Sequence, residues 1–193
     1  MFNTDADLFF LSPRTEINPP SWFGVLYLLR RDIDLCMGID PTTGEPVCYR
    51  ALWPGAMAIL AGVDLLAKFF DGSDTGKIGE RFCKFLADPR VSMLSPEDRD
   101  VIYQLRNSLL HSFGLYSEKR AGKKAKVYRF FLTSNGTGPL VSRNPPDYCV
   151  DLRVLHREFE KAVEAYRAAL DSNSQLQDNF VAMFGKYGRI YIS

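Results

Sequence analysis

Residues 51–63 form a run of thirteen side chains with no charge, hydroxyl or amide among them, broken only at Asp64. Thirteen apolar residues are too few to span a bilayer, yet the apolar character continues almost all round the helical wheel to Phe70. Pro54 suits the first turn of a helix. The pattern therefore predicts a helix over about 54–70 that is buried on nearly every side, and such a helix needs other helices to cover it. With the helices readable on either side of it, the expected fold is one domain covering 1–193, mainly α, a bundle of about five helices.

The cover is readable on either side. Ser21 can cap a helix running to about Met37, with Trp22, Val25, Leu26, Leu29, Ile33 and Cys36 at helical spacing. A third helix carries Ile78, Phe82, Phe85 and Leu86. Ser95, Pro96 and Asp98 give a serine cap, a first-turn proline and an acid three residues on, starting a fourth helix that should reach Ser112 and stop near Gly114. Asp151 caps a long amphipathic helix with Leu152, Leu155, Phe159, Val163, Tyr166 and Leu170 in one stripe. Residues 126–143 read as one β-hairpin inserted in the bundle, turning at 134–138. Residues 1–20 look like an irregular lead-in, and 173–193 like a short helix over about 176–184 with a tail.

Composition narrows the function classes. Hydrophobic residues make up 46% and charged residues 24% of the chain, a globular profile. The N-terminus, MFNTDAD, lacks the basic and apolar regions of a secretory signal. Four cysteines without a C-x-x-C pair read as reduced thiols of a cytoplasmic protein, with no membrane partner expected. The net charge of +1 hides an asymmetry. Residues 101–130 hold seven basic side chains against one acidic, leaving 17 basic and 22 acidic in the remainder. A basic segment on an acidic body suits a polyanionic partner, and equally a solvated lysine-rich loop.

Several motifs fail on their spacing. Residues 72–78 resemble a phosphate-binding loop but have three residues between the glycines, not four, and Ile78 where Ser or Thr must meet magnesium. As a calcium loop the same stretch puts Phe82 where a bidentate glutamate belongs. Asn135 sits in a glycosylation sequon that an Asn-Gly turn explains. Two histidines and scattered cysteines give no metal site, and there is no G-x-S-x-G elbow.

The fourth helix holds what remains. Val101, Ile102, Leu105, Leu109 and Phe113 form its core stripe, while Tyr103 and Leu110 make a second apolar strip flanked by Arg106 and Asn107. That strip is expected to pack on another helix of the bundle or on a second copy of the chain. Arg106 and His111 are five apart, so their Cβ directions differ by about 140° and only the long arginine stem can bring the heads together. Asn107 and His111 are helical neighbours able to hydrogen-bond.

Arg106-Asn107-Ser-Leu-Leu-His111, late in a helix of a small bundle, resembles the R-x(4–6)-H signature of the HEPN superfamily. The resemblance implies an up-and-down helical bundle that dimerises around this helix, and in many members a metal-independent endoribonuclease, including toxins and defence effectors. It implies no cofactor, RNA as substrate, a homodimer joined through Tyr103 and Leu110, and an antitoxin protein as a partner. By resemblance the catalytic residues are Arg106, Asn107 and His111. The 2′-hydroxyl of the RNA is the nucleophile, and the product carries a cyclic phosphate. Lys119, Arg120, Lys123, Lys124, Lys126 and Arg129 would then track the RNA backbone. Tyr128, Phe130 and Phe131 interleave with this charge; base stacking is one use for them, but at least Phe130 or Phe131 should pack, since alternate strand residues face the bundle. Some HEPN toxins carry a modifiable tyrosine two residues after the histidine; Phe113 stands there, so that regulation is not expected. Two other readings stay open: a non-catalytic HEPN-like module binding a nucleotide or a protein, and a structural protein whose Arg106 makes a salt bridge within its own bundle.

Overall fold

The computed structural model describes residues 2–15, 22–48, 50–92, 94–121 and 124–191. Its helices are α1 (Phe2–Phe9), α2 (Val25–Met37), α3 (Leu52–Asp71), α4 (Ile78–Ala87), α5 (Pro96–Ser112), α6 (Leu152–Ser172) and α7 (Ser174–Tyr187). Its strands are β1 (Trp22–Gly24), β2 (Tyr116–Ala121), β3 (Lys124–Thr133), β4 (Val141–Asn144), β5 (Asp147–Asp151) and β6 (Arg189–Tyr191). The five-helix bundle with one hairpin is thus corrected to a mixed α/β fold of seven helices and two sheets among the described residues.

The apolar run does become the centre. Ile59, Leu60, Val63, Leu66, Ala67 and Phe69 of α3 are buried, and α2, α4, α6 and α7 pack around it. By length and mean hydropathy (20 residues, 1.4) α3 could cross a membrane, but half of that window is buried within the chain. Close approach of α6 depends on Gly62, where a Cβ would lie 2.8 Å from the Phe159 ring. The lead-in is not irregular: α1 delivers Phe9 and Phe10 into the core, with Phe9 4.5 Å from Phe69 between ring centroids. Ser21 lies outside the described residues, and α2 starts after Gly24.

Sequence reading mistook the sheet. β3 does not pair with 139–143; it runs antiparallel to β2 and parallel to β5, in the order β2-β3-β5-β4. The Pro145-Pro146 pair, which reads as a break, lies between β4 and β5, strands of only four and five residues. Parallel pairing is a non-local contact that no periodicity reports. Tyr128, Phe130, Tyr148 and Val150 point inward and are buried, while α5 and α6 pack against the sheet. Asp151 ties sheet to helix. It accepts from Arg153 and Val154 N–H as the α6 cap, and from Asn135 and Gly136 N–H in the preceding turn. Burial pushes its carboxyl up, but these four donors outweigh it and hold it below the ordinary range.

Candidate functional site

The site sits at the C-terminal end of α5. Ser95 fixes the start of that helix, its Oγ accepting from Asp98 N–H at 3.1 Å, so that Arg106 faces α3. Asp64, the residue that ends the apolar run, accepts from Arg106 Nε at 2.8 Å and Nη2 at 2.6 Å through one oxygen, Oδ2. Both side chains are largely withdrawn from solvent, at 7% and 15% exposed for Arg106 and Asp64. Anchored along one edge, the guanidinium presents Nη1 to Asn107 Oδ1 at 3.2 Å and His111 Nε2 at 2.5 Å. The long arginine stem therefore does overcome the 140° offset expected of the two Cβ directions.

This contact fixes chemistry as well as position. Arginine only donates, so Nε2 of His111 accepts, which requires a neutral imidazole with its proton on Nδ1. His111 is itself exposed. Asn107 Oδ1 accepts from Arg106 Nη1, and among the described residues no hydrogen bond joins Asn107 to His111, although their helical spacing allows one. Burial pushes the Asp64 carboxyl above its usual range, more than the Arg106 hydrogen bonds and charge lower it. Asp64 Oδ1 is buried without a hydrogen-bond partner among the described residues. Asp64, Ala67, Lys68, Ile78, Arg81 and Arg106 together line a cavity of about 100 Å³. Three cations there surround one carboxylate. Asp64, Lys68 and Arg81 escaped the sequence reading; the one signal was an acid interrupting an otherwise apolar helix.

Other expected residues fall elsewhere. The Tyr103 and Leu110 strip is taken up within the chain: Tyr103 lies against Phe82 of α4, 5.6 Å between ring centroids, and Leu110 packs on the core. Gly79 admits the Tyr103 hydroxyl, which would meet a Cβ at 2.1 Å. Phe113 is not in the core stripe. It caps α5 at φ 47°, in the left-handed region, and is 72% exposed.

The basic segment is engaged by carboxylates. Lys119 reaches Asp100 at 2.7 Å and Lys126 the same residue at 3.4 Å, with Arg120 on Glu118 and Arg129 on Asp147. Tyr128 also donates to Asp100, and burial with that bond pushes its hydroxyl up to about 12. Burial raises Asp100 itself, but the bonds from Lys119 and Tyr128 prevail and lower it. Lys123 lies outside the described residues, and of Lys124 only the backbone is described. The four cysteines are unpaired thiols.

Comparison with family models, with curated proteins and with solved structures gives no match for this chain. The resemblance stated above therefore stands on the six residues of its motif.

Proposed function

We propose that this chain is a metal-independent endoribonuclease of HEPN type, acting at the Arg106–His111 pair. The observation that carries the reading is the contact between Arg106 Nη1 and His111 Nε2, made at an exposed helix end beside a cavity rich in cations. A phosphodiester entering there takes Nη1 as its donor, which frees Nε2. The imidazole then accepts the proton of the 2′-hydroxyl as that oxygen attacks phosphorus. The bond from phosphorus to the 5′-oxygen breaks, leaving a cyclic phosphate on one fragment and a hydroxyl on the other. Arg106, held by Asp64, stabilises charge on the phosphorane-like transition state. The leaving oxygen needs a proton, which solvent supplies, or a second His111 in a homodimer brought together at the exposed end of α5.

The test is cleavage of a mixed RNA pool in EDTA. His111→Ala should keep the fold, read by its thermal transition, and lower cleavage by about 10²–10⁴-fold. Equal activity of variant and wild type, or none in either, would overturn the reading.

A specific observation favours a second reading, the structural one: Arg106 makes a largely buried ion pair with Asp64 of its own chain. On that reading Arg106→Ala costs stability alone, and RNA is neither bound nor cut.

A further inference from the structure

A cation withdrawn from water needs an anion to answer it, or the folded state bears the cost of its lost hydration. The cavity beside Arg106 departs from that rule. Its lining carries Lys68 of α3, one helical turn on from Asp64, with Arg81 of α4 and Arg106 of α5. Both arginines are only 6% exposed. One carboxylate serves all three cations: Asp64 binds Arg106 through Oδ2, while the charges of Lys68 and Arg81 act on it without a bond. Arg81 donates from Nη1 to the Thr75 carbonyl. Among the described residues its Nε and Nη2 have no acceptor, and it forms no ion pair. Lys68 lies over the Tyr187 ring, 4.7 Å from the centroid, which offers a π face but no counter-charge; among the described residues it too makes no ion pair. The acids of the adjoining segment are engaged by other groups: Asp71 by Lys84, Asp74 by Lys186 and Tyr187, Glu80 by Lys77. Three cations against one carboxylate leave a surplus of two positive charges on the cavity lining.

We propose that this cavity binds a tetrahedral phosphate oxyanion, held by Lys68, Arg81 and Arg106. The site stands on the charge surplus and not on the nuclease reading. Charge fixes the sign of the ligand, and the donors fix its shape. Two guanidinium groups and one ammonium converge from three helices, and the planar guanidinium fork matches the paired oxygens of a phosphate. A planar carboxylate has only two oxygens to share among them. Burial of both guanidinium groups keeps salt from screening the attraction. Size sets the limit: a cavity of about 100 Å³ has room for a small ion, and falls well short of the roughly 300 Å³ or more of a cofactor-sized pocket. The ligand is thus free orthophosphate, or the terminal phosphate of an ester whose remainder stays outside. Residues 72–77, whose glycine spacing fails as a phosphate-binding loop, supply the Thr75 carbonyl that holds Arg81 in place. The donors to the anion come from side chains instead of loop N–H groups.

The experiment is isothermal titration calorimetry of the full chain with sodium orthophosphate near neutral pH, at an ionic strength held constant with sodium chloride. Wild type should bind saturably at one site, and sodium acetate should bind about tenfold more weakly or worse. Lys68→Gln and Arg81→Gln should each weaken orthophosphate binding about tenfold or more, and Lys68→Arg should recover most of the loss. Arg81→Gln also removes the donor to Thr75, so its thermal transition is recorded alongside. Lys68→Gln leaves that bond in place and decides the matter if the other variant unfolds. Ribose 5-phosphate, titrated in the same way, separates the two sources: tighter binding than orthophosphate assigns the cavity to the terminal group of an ester, weaker binding to the free ion. No saturable binding of either, equal affinity for acetate, or an affinity that neither substitution changes overturns the site. Binding lost in His111→Ala but kept in Lys68→Gln and Arg81→Gln overturns it too, since the anion would then sit on the Arg106–His111 pair. No arm contains RNA, so cleavage can fail while the phosphate site stands, and the reverse.

Discussion

Arg106 has four of its donors on three different partners, and the partner that sets its direction is Asp64. Burial outweighs the arginine in setting the Asp64 proton affinity, so the ionised carboxylate is disfavoured where it sits. Asp64→Asn keeps an acceptor oxygen and is expected to leave unfolding stability within about 1 kcal/mol of wild type, while lowering kcat about tenfold by loosening the guanidinium. Denaturant midpoints and steady-state cleavage check this together. A loss of several kcal/mol with unchanged kcat would make Asp64–Arg106 a structural tie. At this scale the motif itself was legible, since arginine, asparagine and histidine types at that spacing announce their chemistry. Its anchor was not. Nothing local says that an acid 42 positions earlier faces the arginine, because that depends on the rotation of α3 against α5.

Elements were legible where local chemistry speaks. The Ser95 cap and the all-round apolar character of α3 are local signals, and both elements lie where those signals put them. The C-terminal end of α5 departs from its wheel because the chain turns there: Phe113 takes φ 47°, and the turn throws its ring outward instead of down the core stripe. A phenylalanine in left-handed backbone costs about 1 kcal/mol that glycine does not. Phe113→Gly is therefore expected to raise stability by roughly 0.5–1 kcal/mol, measured as an increase in denaturant midpoint. A lower midpoint would mean that the exposed ring makes a contact outweighing the strain. The sheet was the least legible element. β4 and β5 are too short to show periodicity, and the β3–β5 pairing joins segments separated by a loop and another strand. The first helix was missed for a different reason: Phe9 at its end and Phe10 just after it gain their meaning from the α3, α6 and α7 rings they meet.

At the scale of the whole molecule, a second polar cluster joins the N-terminal segment to α2 and α6. Arg30 pairs with Glu160 and donates to the Phe10 and Leu11 carbonyls at 3.1 Å. Asp34 lies between Arg14 at 3.5 Å and His156 at 3.3 Å. Burial, with Glu160 adding to it, pushes Asp34 up to about 6 against the pull of Arg14 and Arg30. Burial likewise lowers His156. The signs are opposite. Between pH about 4 and 6 the folded state holds a proton on Asp34 that the unfolded chain has lost, so this group removes up to about 3 kcal/mol of stability as pH rises. Neutral His156 adds stability as pH rises towards its ordinary value near 6.5. Asp34→Asn abolishes the first effect and leaves the second. The variant is expected to gain on wild type between pH 4.5 and 7 in paired denaturation curves; parallel curves would show that Asp34 keeps an ordinary proton affinity.

This cluster secures the segment around Phe10 to Arg14, whereas the one around Arg106 and His111 opens to solvent. Catalysis by the latter is the central claim, and the ends of the RNA it produces test it most directly. Mass spectrometry of oligoribonucleotide products made in EDTA should find cyclic phosphate and 5′-hydroxyl ends with wild type, and uncut RNA with His111→Ala. Uncut RNA with both, or 5′-phosphate and 3′-hydroxyl ends that persist in the variant, would contradict it.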